Sequence, residues 1–244
     1  MLMRILIISD IHANYTALEA VLNAAGEIDA TWCLGDLVGY GPDPNECVER
    51  IRALSNLVCI TGNHDSATIN EIDVLSFNPE ARLAIHWTQD QLTSENRAFL
   101  TVLPEVQVLE NVTLVHGSPR QPVWEYLLDT RTATLNFDFF DTPFCFVGHT
   151  HLPVLYLMPD DVPHARLLIP ENTTQLALAP RVILNPGSVG QPRDRDPRAA
   201  YAIFDSSSYT MTFYRVDYDI AAVQERMLAA HMPERHIRRL EAGW

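Results

Sequence analysis

Hydrophobic and polar positions alternate between two periods in the first sixty residues. Between the apolar runs at residues 4–9 and 30–34, residues 18–25 place apolar side chains at helical spacing. A capping box that begins at Thr16 precedes them, and a glycine follows. Between the second and third runs, Asp43 and Pro44 are expected to open another helix. This order of strands and helices predicts a parallel sheet with right-handed crossovers. The apolar runs, typical of buried strands, are residues 4–9, 30–34 and 57–61.

The pattern changes after residue 77. Asn78 with Pro79, and then Thr93 or Ser94, are expected to open two helices before residue 103, and a last helix is expected from Asp219. No repeat or linker interrupts the chain, so residues 1–244 are predicted to form one domain in which two sheets pack together with helices outside. Short β-branched or aromatic segments predict strands at 106–109, 112–115, 144–147, 154–157, 166–169, 175–178, 182–184, 200–204 and 210–216.

Lysine is absent from the chain, because all 17 basic residues among its 244 are arginine. Mechanisms that need an ε-amine, such as a Walker-type phosphate loop or a Schiff base, are therefore excluded. The formal net charge of −14 argues against a nucleic-acid polymer or an anionic membrane as the partner, since binding to either by bulk charge needs a basic face. A small substrate is expected, and homo-oligomer formation is left open.

The N-terminal apolar run is shorter than a signal peptide, and no segment is long and apolar enough to span a membrane. A cytoplasmic location is therefore predicted. The cysteines form no CxxC pair and lie in apolar stretches, so we expect reduced structural thiols at Cys33, Cys47, Cys59 and Cys145.

Chemically active side chains follow five of the predicted strands. Because the carboxyl ends of strands in an open α/β sheet meet at one crevice, these side chains can lie together although they are far apart in sequence. Carboxylate, amide and imidazole donors without cysteine suit Mn, Fe or Zn better than Ca or Mg. A metal centre is predicted rather than an acyl-transfer triad. The residues are Asp10, His12, Asp36, Asn63, His64, Asp65, His116, His149 and His151.

Two pairs of these residues are spaced two positions apart. On an extended chain Asp10 and His12 would point to one face of the strand, and His149 and His151 repeat the arrangement. Two such pairs could hold two ions. Asp36 follows a glycine that permits close approach, and it is the natural carboxylate to be shared between them.

Taken in order, these motifs resemble the calcineurin-like metallophosphoesterases, in particular the small bacterial branch without added domains. Residues 116–120, 124–126 and 185–193 are also similar to segments of that branch. The resemblance implies an α/β fold built as a four-layer αββα sandwich, with two mixed β-sheets flanked by helices and a dinuclear metal site. It assigns Asp10, His12, Asp36 and His151 to the first ion, and Asp36, Asn63, His116 and His149 to the second.

The resemblance also implies that His64 and Asp65 are the catalytic pair. In this hypothesis hydroxide between two divalent transition-metal ions attacks phosphorus, and His64, oriented by Asp65, protonates the leaving oxygen. Manganese is the preferred metal, with iron or zinc as alternatives. Asp65 could instead cap a helix. Arg120 or Arg193 could add a bidentate contact to phosphate, or form ion pairs within the protein.

Three functions are compatible with these motifs. The first is hydrolysis of phosphodiester or phosphomonoester bonds in small substrates. The second is a catalytically weak metal-binding scaffold of the same fold, which the presence of His64 disfavours. The third is a nuclease, which the acidic charge disfavours. Trp124 and Tyr126 are expected to pack in the protein rather than stack on a nucleobase.

Overall fold

Twelve strands in two sheets form the centre of the fold in the part of the chain that the computed structural model describes, residues 3–159 and 161–244. The strands are β1 (Arg4–Ile8), β2 (Ala30–Cys33), β3 (Leu57–Cys59), β4 (Val106–Val108), β5 (Val112–Val115), β6 (Phe144–Phe146), β7 (Val154–Leu157), β8 (Arg166–Leu168), β9 (Gln175–Ala177), β10 (Val182–Asn185), β11 (Ala199–Asp205) and β12 (Thr210–Val216). The helices are α1 (Tyr15–Ala25), α2 (Pro44–Arg52), α3 (Asn63–Thr68), α4 (Pro79–Gln91), α5 (Ser94–Thr101), α6 (Thr130–Asn136), α7 (Ile220–Ala229) and α8 (Glu234–Ala242).

Both sheets are mixed and have six strands each. The first has the order β3-β2-β1-β11-β12-β9, and the second β4-β5-β6-β10-β7-β8. Strands β1, β2 and β3 are parallel, as predicted, whereas β11 runs antiparallel beside β1. In the second sheet β5, β6 and β10 are parallel. Parallel strands therefore form one side of the first sheet, from the edge strand β3 to β1, and the middle of the second sheet. Their carboxyl ends are available to form a crevice.

The alternation of side chains along β1 divides the core into layers. Ile5 and Ile7 pack in the cluster between the two sheets, whereas Leu6 and Ile8 pack with α1 and α2 on the outer face. A continuous apolar run is the signature of a strand buried on both faces. A separate cluster joins the second sheet to α6. The result is the predicted four-layer arrangement of helix, sheet, sheet and helix.

Predicted and observed elements differ mainly at their ends. Thr16 does not cap α1; the side chain of Asn14 accepts from the N–H of Ala17 at 3.1 Å and the helix begins one residue earlier than Thr16. The predicted strands are each within one or two residues of the observed bounds. Helices α3, α6 and α8 were not predicted, because each is short and has few apolar positions.

Asp43 precedes α2 as predicted, but its carboxylate does not cap the helix. It instead accepts two hydrogen bonds from Arg226 of α7, from Nε at 2.9 Å and Nη2 at 2.8 Å, and the same Nη2 donates to Thr16 Oγ1 at 2.8 Å. A bidentate arginine–carboxylate pair is a strong and directional contact. The C-terminal helices α7 and α8 are thereby fastened to the helical layer of the first sheet.

All four cysteines are buried free thiols, as predicted. In the described ranges 3–159 and 161–244, none of the helices has both the length and the apolar character that crossing a membrane would require.

Candidate metal centre

Seven side chains converge at the carboxyl ends of five parallel strands. Asp10 and His12 follow β1, Asp36 follows β2, and Asn63 follows β3 at the start of α3. The second sheet contributes His116 after β5, and His149 and His151 after β6. We call these seven residues the metal centre. Each is at most 3% exposed, so the centre lies almost entirely out of bulk water.

The backbone of the metal centre is left-handed rather than extended. The φ angles are 54° at Asp10, 49° at His12, 66° at His149 and 62° at His151. The expected extended pairs are therefore wrong, although the residues they joined do meet. Non-glycine residues with positive φ are strained and persist only where surrounding contacts fix them. Here the N–H groups of Asp10 and His12 donate to the carbonyls after β2, which turns both side chains into the crevice.

Asp10, His12 and His151 form the first cluster of donors. His151 Nε2 lies 3.2 Å from Asp10 Oδ1 and 3.2 Å from His12 Nε2. His12 Nε2 is 3.8 Å from the same Asp10 oxygen. Three atoms that can each hold a metal therefore surround one small volume.

Asp36, His116 and His149 form the second cluster. His116 Nε2 lies 3.3 Å from Asp36 Oδ2 and 3.1 Å from Asn63 Oδ1. Asp36 Oδ2 is also 3.6 Å from His12 Nε2 of the first cluster. Asp36 thus belongs to the second cluster and also lies next to the first.

Backbone carbonyls orient all four histidines of the metal centre. A ring nitrogen that donates to a carbonyl carries the proton, so the other nitrogen has its lone pair free for a metal. In three rings the donor is Nδ1 and in one it is Nε2. The pairs are His12 Nδ1 with Val38 O at 3.2 Å, His116 Nδ1 with Leu34 O at 2.8 Å, His151 Nδ1 with Gln191 O at 2.5 Å, and His149 Nε2 with Trp124 O at 3.2 Å.

The charges of the metal centre favour cation binding. Burial opposes ionisation of Asp10 and Asp36, but neighbouring imidazoles hold the pKa of each carboxyl well below its usual range. Burial lowers the pKa of His12, and that of His149 to about 3. Burial works against charge on His116 as well, yet Asp36 raises its pKa to about 10. An ionised carboxylate that attracts a proton onto a buried imidazole would equally attract a metal ion.

Asp65 acts on the backbone around the site rather than on His64 directly. Its carboxylate accepts from the N–H of Val38 at 3.1 Å and from the N–H of Gly62, the residue before α3, at 3.0 Å. Among the described residues the Nδ1 atom of His64 has no hydrogen-bond partner. The His64 ring packs between Tyr40 at 4.3 Å and Phe77 at 5.1 Å, measured between ring centroids. Burial lowers its pKa to about 4.

The structure separates the two candidate arginines. Arg120 forms an ion pair with Glu125, whose Oε2 also accepts from Ser118 at 2.7 Å and Asn136 at 2.8 Å. Arg193 instead donates to Gln191 Oε1 at 2.9 Å. Burial, and then the positive charge of Arg193, lower the pKa of His151. Arg193 therefore lies beside the metal centre, whereas Arg120 is held by the loop that follows β5.

Some contributors could not be predicted from residue type. Gln191 and Trp124 act through their main-chain carbonyls, which every residue carries. Both lie in segments that resemble the family, but their residue types do not indicate this role. Tyr126 was expected to pack, and its ring does stack on His149 with centroids 3.8 Å apart, while 46% of the residue stays exposed. The tyrosine forms part of the rim of the metal centre.

Comparisons with known proteins identify the family of the chain. The family model described as the calcineurin-like phosphoesterase superfamily domain matches residues 3–208. A crystal structure of a metallophosphoesterase from Sphaerobacter thermophilus is 49% identical, covers 100% of both chains and has a TM-score of 0.92. An uncharacterized protein of Methanocaldococcus jannaschii is 39% identical over 238 residues, which is 94% of each chain.

Two other similarities are weaker. A hypothetical protein from Pyrococcus horikoshii is 22% identical, with a TM-score of 0.79 over 99% of both chains, and it shares the fold. A symmetrical bis(5'-nucleosyl)-tetraphosphatase from Erwinia tasmaniensis is 43% identical over 63 residues, which is 24% of this chain and 23% of that protein.

Proposed function

Because the chain belongs to the calcineurin-like phosphoesterase superfamily and is a hydrolase of phosphoester bonds, we propose that its metal centre holds two divalent ions side by side. The observation that carries the proposal is the position of Asp36, whose Oδ2 lies 3.6 Å from His12 Nε2 and 3.3 Å from His116 Nε2. A carboxylate between two donor clusters offsets the repulsion of two adjacent cations.

The donors of the metal centre fit transition-metal ions. Asp10, His12, Asp36 and His151 would hold one ion, and Asp36, Asn63, His116 and His149 the other. A mixed set of carboxylate, amide and imidazole donors suits Mn, Fe and Zn, whereas Ca and Mg prefer shells made only of oxygen. Manganese is the metal we propose first, with iron and zinc as alternatives.

When bound, two such ions supply positive charge for the phosphoryl oxygens and a water molecule of lowered pKa. The chain keeps the donors in place. The N–H of His64 donates to Asp36 Oδ1 at 2.9 Å, which leaves Oδ2 for the centre. Backbone carbonyls hold the imidazoles in the metal-binding tautomer, and burial excludes bulk water, which strengthens every charge interaction inside.

His64 is the proposed proton donor to the leaving oxygen. The His64 ring adjoins the metal centre, because one of its nitrogens lies within 4.8 Å of donor atoms of His12 and Asp36. The negative charge of a bound phosphoryl group counteracts burial and favours the protonated ring. Asp65 contributes by holding the loop that carries His64, through its two contacts with backbone N–H groups.

Small phosphodiesters or phosphomonoesters are the proposed substrates. The net charge of −14 disfavours nucleic-acid polymers, which bind proteins largely through basic surfaces. The short similarity to a symmetrical bis(5'-nucleosyl)-tetraphosphatase makes dinucleoside polyphosphates one class worth testing.

Metal analysis of the purified protein, combined with a panel of phosphoesters, tests this function. We expect about two transition-metal ions per chain and metal-dependent hydrolysis within a panel of bis-p-nitrophenyl phosphate, p-nitrophenyl phosphate, cyclic nucleotides and dinucleoside polyphosphates. A metal-replete protein that cleaves none of them would instead support the scaffold. Salt-sensitive binding and cleavage of single-stranded DNA would support the nuclease.

A further inference from the structure

We propose that Arg193 and Arg239 form an anion subsite beside the metal centre, and that this subsite binds a second phosphate group of the substrate. The enzyme would then prefer phosphoesters that carry an additional phosphate over those with a single one. This inference rests on the proposed function. Arg239 lies on α8, beyond residue 208, where the match to the family model ends.

The two guanidinium groups converge on a single acceptor. Arg193 Nη2 donates to Gln191 Oε1 at 2.9 Å, and Arg239 Nη1 donates to the same oxygen at 3.2 Å. One amide oxygen cannot satisfy two five-donor groups, so most of their N–H groups remain available. Within the described ranges, the Nε atoms of both arginines are buried without a hydrogen-bond partner.

The subsite adjoins the metal centre through Gln191 and Tyr40. The carbonyl oxygen of Gln191 accepts from His151 Nδ1, while its side-chain oxygen binds the arginines. The ring of Tyr40 lies 4.7 Å from that of His12, and the Cζ of Arg193 lies 5.9 Å from the same tyrosine ring. The guanidinium groups thus contact Gln191 and Tyr40, which themselves contact His151 and His12, so the subsite lies next to the metal ligands.

The charges around the subsite are unbalanced. Neighbouring arginines on α8 have carboxylate partners: Arg235 pairs with Glu80 and Arg238 with Glu234. Arg193 and Arg239 form no ion pair with any described residue, although the chain as a whole carries a net charge of −14. Burial and the positive charge of Arg193 lower the pKa of Arg239 to about 10. A bound phosphate would relieve this repulsion and match the planar guanidinium groups.

Binding of inorganic tripolyphosphate and of orthophosphate to the manganese-loaded protein, measured by isothermal titration calorimetry, tests the subsite. We expect Arg239→Gln to weaken tripolyphosphate about tenfold more than orthophosphate, which is the size of one lost charge-assisted hydrogen bond. Arg193→Gln, in the loop between β10 and β11, should show the same selective loss of tripolyphosphate affinity. Arg239→Lys should recover part of this affinity, because lysine keeps the positive charge but lacks the planar guanidinium group.

The matched control is Arg238→Gln, the neighbouring exposed arginine of α8. Kinetics gives a second readout: in Arg239→Gln the ratio of kcat/KM for diadenosine tetraphosphate to that for bis-p-nitrophenyl phosphate should fall about tenfold through KM. Equal affinity of wild type and Arg239→Gln for tripolyphosphate, or equal losses for both anions, would overturn the subsite. Selective, arginine-dependent tripolyphosphate binding without hydrolysis of any phosphoester would count against the proposed function alone.

Discussion

The two carboxylate oxygens of Asp36 make different contacts. Oδ1 accepts from the N–H of His64, and Oδ2 faces His12 and His116. Gly35, the residue before Asp36, allows this close approach because it has no side chain. A Cβ at this position would collide with the backbone of Gly62. One carboxylate therefore ties the loop after β3 to both donor clusters.

Asp36→Asn should remove bound metal and activity together. The amide keeps the shape of the side chain but has one acceptor atom and no charge to offset two cations. Metal content by mass spectrometry and turnover on bis-p-nitrophenyl phosphate measure the two effects. Asp138→Asn, an exposed aspartate, is the control. An active, metal-replete Asp36→Asn protein would refute the shared carboxylate.

His64→Ala should keep both metals and lose about a hundredfold or more in turnover on esters with poor leaving groups, the usual contribution of a general acid. An activated aryl ester needs little protonation of its leaving oxygen, so its hydrolysis should fall much less. The exposed His86 provides the control variant His86→Ala. Equal losses on both ester types would argue against proton donation by His64.

Glu125 makes the stability of the loop after β5 depend on pH. Burial opposes its charge, but Arg120, Asn136 and Ser118 hold the pKa of this carboxyl below its usual range. A carboxyl whose pKa is lowered on folding stabilises the protein above its unfolded pKa of about 4.3 and loses that effect as pH falls.

Glu125→Gln should therefore be destabilised by about 1 kcal/mol at pH 7, and the difference from wild type should shrink below pH 4. Chemical denaturation at several pH values measures it. The exposed Glu241 supplies the control Glu241→Gln. A difference that is constant from pH 7 to pH 3 would show that the carboxylate charge is not responsible.

At the scale of elements, the C-terminal helices α7 and α8 extend the rim of the site. Arg226 fastens α7 to Asp43 and Thr16, and α8 brings Arg239 beside Gln191. A small apolar cluster of Val223, Met227, Met232, Ile237 and Leu240 joins the two helices. The aspartate that would have capped α2 thus anchors another element instead.

Arg226→Met should lower stability by about 1 kcal/mol, because the bidentate pair is lost while the apolar stem of the side chain is kept. Thermal unfolding measures this loss. Arg238→Met on α8 removes a solvent-exposed ion pair with Glu234 and should change little. Equal stability of the two variants would mean that the Asp43 contact does not hold α7.

At the scale of the whole molecule, the metal centre joins the two sheets. Asp10, His12, Asp36 and Asn63 follow strands of the first sheet, whereas His116, His149 and His151 follow strands of the second. Bound ions would therefore connect the two sheets through ligands in one buried site.

Removal of metal should lower the midpoint of thermal unfolding, and added Mn²⁺ should restore it. A ligand that binds only the folded state at a thousandfold excess over its Kd stabilises that state by about 4 kcal/mol. Calorimetry with and without chelator measures the shift at fixed pH. An unchanged midpoint after the metal is shown to have left would contradict a centre that connects the sheets.

The sequence by itself determined the alternation of elements, the parallel strands β1, β2 and β3, and the nine residues at the strand ends, because apolar periodicity and residue type are local properties. It could not determine the left-handed backbone at Asp10 and His12, since long-range hydrogen bonds to the segment after β2 impose it. The carbonyl of Gln191 as the acceptor for His151 Nδ1, and the position of Arg239, were also decided only by tertiary structure. Main-chain groups are the same in every residue, and the packing of α8 follows from contacts with residues far away in sequence.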